Sequence, residues 1–67
     1  MRRNLTKARK DLHLTQKRLG EMVGLGKSTI CQLENGKISG SVKTWERLEA
    51  VLGVDDKILR QIADTPQ

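Results

Sequence analysis

The 67-residue chain has no tyrosine or phenylalanine, one tryptophan, one cysteine and one histidine, and its longest apolar run is the triplet Ala50-Val51-Leu52. Each scarcity removes a class of protein. A membrane span needs roughly 20 apolar residues, and a secretory leader also needs a longer apolar core than this chain has, so no membrane association and a cytoplasmic location are expected. One cysteine forms no internal disulfide, and Cys31 with only His13 for company falls short of a structural zinc set, so neither metal nor cofactor is expected. With the lone His and Cys far apart in sequence and no glycine-rich phosphate loop, no acid, base and nucleophile converge, and the chain does not read as an enzyme. Stacking on single-stranded nucleic acid lacks partner aromatics, so Trp45 reads as core packing. The length bounds the chain to one small domain over residues 1–67, held by packing alone, with residues 64–67 expected to fray.

Positive charge is what the chain has in excess. Thirteen lysines and arginines face eight acidic residues, for a net charge of +5. The distribution is uneven, with nine basic and three acidic residues in positions 1–37 (+6) and a remainder of −1. A cationic half suits a polyanion, because each basic group near a phosphate displaces condensed counterions. A merely solvated surface is the plainer alternative.

Apolar residues recur at helical spacing, and no alternating stretch is long enough for a strand, which predicts an all-α fold. Asn4 is expected to cap a first helix with Leu5, Ala8 and Leu12 on one face. Thr15 caps a second helix, Gln16 to Val23, with Leu14 stapled on Leu19 and Gly24 ending it in the left-handed conformation. The chain restarts within two residues. Gly26 precedes a third helix from Lys27 to about Glu34, with Leu25 stapled on Ile30 and Asn35-Gly36 as the stop. Gly20 inside the second helix costs about 1 kcal/mol relative to alanine, which suggests either a close helix contact or a simple weak spot. After the Ile38-Ser39-Gly40 loop, Ser41 caps a fourth helix with Val42, Trp45, Leu48 and Leu52 on one stripe, closed by Gly53. Asp55 caps a last helix whose Ile58, Leu59 and Ile62 close the core, with Val54 as staple.

Two short helices joined by so brief a turn cross steeply, the docking arrangement of a helix-turn-helix. At about 100° per residue with Lys27 at zero, Cys31 falls at about 40°, Ser28 at about 100° and Gln32 at about 140°. Ile30 and Leu33 point the other way, into the core. The third helix therefore presents short polar groups outward, as base reading requires.

The segment Thr15 to Lys37 resembles the helix-turn-helix of the lambda Cro and repressor-like family, also called the XRE family. The likeness rests on Leu14-Thr15-Gln16, Leu19, Gly24, Ser28-Thr29-Ile30, Leu33-Glu34-Asn35-Gly36-Lys37, Leu48 and Leu52-Gly53-Val54, and it extends from Leu5 to about Leu59. It implies a compact five-helix domain that binds operator DNA as a dimer and regulates transcription without chemistry of its own.

By the same resemblance, Lys27, Ser28 and Gln32 occupy base-reading positions. Glutamine bonds adenine bidentately and lysine donates to guanine, so these two carry the specificity and Ser28 is permissive. Gln16 is expected to contact a phosphate and brace the third helix, and its backbone N–H at a positive helix terminus suits an anion independently. Asn35 and Lys37 match positions that grip the sugar-phosphate backbone, while Thr29 is either a phosphate contact or a structural hydroxyl. Arg9 and Glu34 are expected to form an ion pair that positions helices more than it adds stability. Arg2, Arg3 and Lys10 either meet phosphate or solvate the terminus.

The chain departs from the family at Gly26, where a serine or threonine cap is usual, at Arg18 in place of a capping-box glutamate, at Gly40 in place of proline, and at Glu49 and Met22. Met22 is either a partner patch or an exposed residue. Cys31 on the reading face is either a small space-filler or a redox-sensitive group, and His13 is a surface residue. The expected function is a sequence-specific repressor of phage or bacterial type, binding double-stranded DNA at a palindromic operator as a homodimer, with control through abundance or a regulatory protein partner. The alternative is a protein-interaction module, such as an antitoxin or a regulator's partner, with DNA binding secondary.

Overall fold

A computed structural model describes residues 2–61 as five helices, α1 (Arg3–Asp11), α2 (Gln16–Val23), α3 (Lys27–Asn35), α4 (Val42–Leu52) and α5 (Asp56–Leu59), with no strand among the described residues. The all-α, five-helix expectation holds. Three of the helix starts are set by the expected side-chain caps. Thr15 Oγ1 accepts from the Arg18 N–H at 3.0 Å, Ser41 Oγ from Thr44 at 3.2 Å and Asp55 Oδ1 from Lys57 at 2.8 Å. Gly24, Gly36 and Gly53 end α2, α3 and α4 with φ between 70° and 79°, a region closed to most side chains. No helix among the described residues is long and apolar enough to cross a membrane.

Leu5, Leu19, Ile30, Leu33, Trp45, Leu48 and Leu59 are fully buried in one core, with Ala8, Val23 and Leu52 at its edge. The staple residues Leu14, Leu25 and Val54 pack against it half-buried. Three apolar residues expected inside are exposed instead: Leu12, Val42 and Ile58. Leu12 lies past the last turn of α1 and Val42 is the first residue of α4, so neither faces a neighbouring element. The single turn of α5 turns only Leu59 inward. Ile62 and the tail 64–67 lie outside the described residues.

The start of α1 also differs from expectation. Asn4 is inside the helix rather than capping it, and its Nδ2 donates to the Ile58 carbonyl at 3.2 Å and to Gln61 Oε1 at 3.1 Å. The reason is Arg2, which neither solvates the terminus nor faces outward: it is 7% exposed. Its backbone N–H donates to the Glu34 carbonyl at 2.7 Å, fixing the chain two residues before Asn4. Its guanidinium donates to the carbonyls of Leu33 (2.6 Å), Ile38 (2.9 Å) and Arg60 (3.1 Å) and lies 5.2 Å from the Trp45 ring centroid. Burial, and then the charge of Arg60, lower its pKa from the usual arginine value. Among the described residues, carbonyl dipoles and an aromatic face rather than a carboxylate surround this desolvated cation.

Glu34, 3% exposed, ties three helices together. Arg9 Nε donates to its Oε2 at 2.6 Å, and Oε1 accepts from Arg9 Nη2 (3.3 Å), Thr6 Oγ1 (3.1 Å) and Gln16 Nε2 (3.1 Å). Arg9 Nη1 donates onward to the Leu14 carbonyl at 2.7 Å, fixing the α1–α2 connection. Among the described residues no buried side-chain nitrogen or oxygen is left without a partner.

Two glycines mark close approaches. A Cβ on Gly20 would stand 2.5 Å from the Leu25 carbonyl oxygen, so α2 touches the turn before α3 backbone to backbone. Gly40 has φ 74°, unattainable by proline, and a Cβ there would meet Trp45 Nε1 at 2.9 Å. That indole N–H donates to the Ser39 carbonyl at 2.8 Å, so the turn wraps the tryptophan edge.

Gly20→Ala is expected to destabilise the fold by about 1–3 kcal/mol in urea denaturation, although alanine is the better helix former by about 1 kcal/mol. A gain in stability would show that the close approach relaxes freely. Glu34→Leu strands the buried Arg9 cation, with an expected cost of about 3–5 kcal/mol, comparable with the whole stability of a domain this size. The double variant Arg9→Met/Glu34→Leu is expected to be more stable than Glu34→Leu alone, as thermal melts would show.

Candidate nucleic-acid interface

The placement of α3 begins with its inner face. Ile30, Leu33 and Glu34 are buried, so the helix is held by apolar contact along its length and by the carboxylate network at its end. The Leu25 N–H donates to the Gly20 carbonyl at 2.7 Å, locking the turn between α2 and α3 at the close contact. A helix fixed on one side presents the other, and on that side Lys27, Ser28, Gln32 and Asn35 are exposed and Cys31 is half-buried.

These five residues line one open concavity of about 400 Å³ together with Gln16 from the start of α2 and Lys37 from the loop after α3. Six of the seven residues singled out as DNA contacts from the sequence thus meet in one place. Thr29 is the exception, half-buried and outside the concavity. Asn35 Nδ2 lies 3.4 Å from Cys31 Sγ, so the thiol sits within the row of polar groups.

Gln16 joins the concavity to the interior. Its side-chain amide is engaged with Glu34 Oε1, which bridges α2 to α3. Its backbone N–H, at the first position of α2, has no acceptor within the helix, because only the fourth and later amides find one. The Arg18 amide is taken by Thr15, whereas those of Gln16 and Lys17 lie in the first turn, at the positive end of the helix dipole.

Seven of the nine basic residues in positions 1–37 are exposed: Arg3, Lys7, Lys10, Lys17, Arg18, Lys27 and Lys37. The two buried ones, Arg2 and Arg9, serve the fold. Sequence reasoning counted Arg2 with the surface charges, and nothing in its local pattern distinguishes an arginine that turns inward. The Thr6 hydroxyl on Glu34 and the contact of Arg47 Nη1 with the Val23 carbonyl at 3.3 Å were likewise missed, since both join residues more than 20 positions apart. At the α4–α5 junction the carboxylates of Glu49, Asp55 and Asp56 lie within 4.8 Å of one another, without a histidine or cysteine among them.

Residues 5–59 match the family described as helix-turn-helix. Over 53 residues the chain is 42% identical to a protein of Methanothermobacter thermautotrophicus named "Uncharacterized HTH-type transcriptional regulator", covering 79% of this chain and 77% of that protein. No solved structure matches at a significant level. Because the family match spans α2, the turn and α3 as well as the helices that support them, the chain belongs to the helix-turn-helix family of DNA-binding proteins, in its lambda Cro and repressor-like (XRE) branch.

Proposed function

We propose that these helices act as one sequence-specific DNA-binding domain of a cytoplasmic transcriptional regulator, a repressor that binds a palindromic operator as a homodimer. The observation that carries this reading is the convergence of Lys27, Ser28, Gln32, Asn35, Lys37 and Gln16 on one exposed concavity along a helix anchored from behind. The name of the 42% identical relative points the same way.

In the proposed complex α3 enters the major groove while α2 crosses the backbone above it. Gln32 offers an amide donor and acceptor to the N6 and N7 edge of adenine, and Lys27 donates to O6 or N7 of guanine. Ser28 accepts or donates with either base. The first-turn backbone N–H of Gln16 takes a phosphate oxygen while its side chain braces α3 through Glu34, and Asn35 and Lys37 hold the sugar-phosphate backbone. Thr29, half-buried and outside the lining of the concavity, is placed as a further backbone contact or as a structural hydroxyl. Cys31 fills the groove-facing row as a small side chain. A protein-binding role is the second reading, favoured by exposed Met22 at a shallow groove with Val23, Arg47, Ala50 and Val51.

Selection of bound duplexes from a random library is expected to recover a palindrome; a library that enriches nothing, while a lysate pull-down yields a stoichiometric protein, would favour the second reading. Gln32→Ala is expected to change the ranking of half-sites, with about 1–3 kcal/mol lost at one base pair and the salt slope unchanged. Unaltered ranking would remove Gln32 from base reading. Lys37→Gln, which removes one contact from each protomer of the proposed dimer, is expected to weaken all duplexes alike and to reduce the slope of log affinity against log salt by about 2, measured by fluorescence anisotropy.

A further inference from the structure

A second open concavity lies on the outer side of α1, lined by Arg3, Thr6, Lys7, Lys10 and Asp11. Arg3, Thr6 and Lys10 follow helical spacing and share one face. Lys7 is paired with Asp11 at 2.9 Å, which neutralises that edge of the concavity. Arg3 and Lys10 are exposed, and no carboxylate of the described residues lies within 4.0 Å of either.

Thr6 connects this face to α3. Its hydroxyl and the Gln16 amide both donate to Glu34 Oε1, each at 3.1 Å. Thr6 lines the α1 concavity and Gln16 lines the α3 concavity, so the two meet over a single carboxylate oxygen. The linings of the two concavities are thus tied through one buried carboxylate, which fixes α1 relative to α3 and the start of α2. Arg3 and Lys10 are seven residues apart, about 10 Å along a helix, a length over which a nucleic-acid strand presents about three phosphates.

The geometry points to a second binding surface for the same ligand: Arg3 and Lys10 hold backbone phosphates of duplex DNA flanking the half-site that α3 reads. This rests on the DNA-binding reading above and extends it to positions outside the base-read segment. The surface adds affinity without sequence preference, because phosphates carry no base information. Glu34 sets the spacing of the two surfaces, since Thr6 and Gln16 share its oxygen.

The test uses the whole chain, the selected operator and the double variant Arg3→Gln/Lys10→Gln, whose changes are at exposed positions, with circular dichroism melts as a check on folding. Affinity is measured by fluorescence anisotropy on duplexes with long flanks and with flanks trimmed to the half-sites, across 50–200 mM salt. The wild type is expected to bind the long duplex more tightly than the trimmed one. The double variant is expected to bind both equally, with the ranking of operator bases unchanged. Loss of two phosphate contacts from each protomer of the proposed dimer, four in all, lowers the salt slope by about 3.6, so over this fourfold salt range the wild type weakens on the order of a hundredfold more than the variant. A double variant that keeps the flank dependence and the wild-type slope overturns the inference. A wild type that binds its operator equally with and without flanks overturns this inference alone, whereas one that binds no duplex overturns the DNA-binding reading with it.

Discussion

The buried carboxylate of Glu34 is the constraint on which the arrangement of helices depends. An isolated charge in an apolar interior costs several kcal/mol, so Glu34 is tolerable only with its oxygens filled. They are filled from α1 by Arg9 and Thr6 and from α2 by Gln16, while its own backbone carbonyl receives the Arg2 N–H. Directional bonds from two helices to the end of a third fix angles that apolar packing alone leaves adjustable. A short α3 with two buried apolar side chains needs that restraint to hold a constant attitude.

Electrostatics in this small domain are divided by direction. Inward cations answer a carboxylate or carbonyl dipoles, and outward cations stand exposed on α1, α2, the start of α3 and the loop after it. The division explains how a chain with a net charge of +5 keeps a well-packed interior. Arg2 shows the inward case most fully, with three carbonyl acceptors and an aromatic face around one guanidinium. Such a cation is not placed to touch a polyanion directly, and composition overstates the surface charge accordingly.

Helix type and most boundaries were legible because they rest on local chemistry. Thr15, Ser41 and Asp55 are caps whose partners lie two or three residues away, and Gly24 and Gly53 are stops whose conformation suits few other residues. The outward face of α3 followed from the helical repeat and the apolar positions of Ile30 and Leu33. The start of α1 was not legible, since it is set by Arg2 meeting Glu34, Leu33, Ile38 and Arg60, all remote in sequence. For the same reason the exposure of Leu12, Val42 and Ile58 escaped the pattern: periodicity gives the side of a helix, not whether a neighbour extends far enough to cover it. Within the site, the α3 residues and Gln16 were readable from spacing and resemblance. The hydroxyl of Thr6, which ties α1 to the same carboxylate as Gln16, was not.

Trp45 carries one last consequence. It is the sole aromatic side chain and 1% exposed, with the Arg2 guanidinium over its ring and its N–H on the Ser39 carbonyl. Its fluorescence is therefore an intrinsic, label-free reporter from a single place, where the amino-terminal segment and the α3–α4 connection touch. Detachment of either would alter the emission spectrum before the secondary structure is lost, so light from one indole can separate local loosening from global melting.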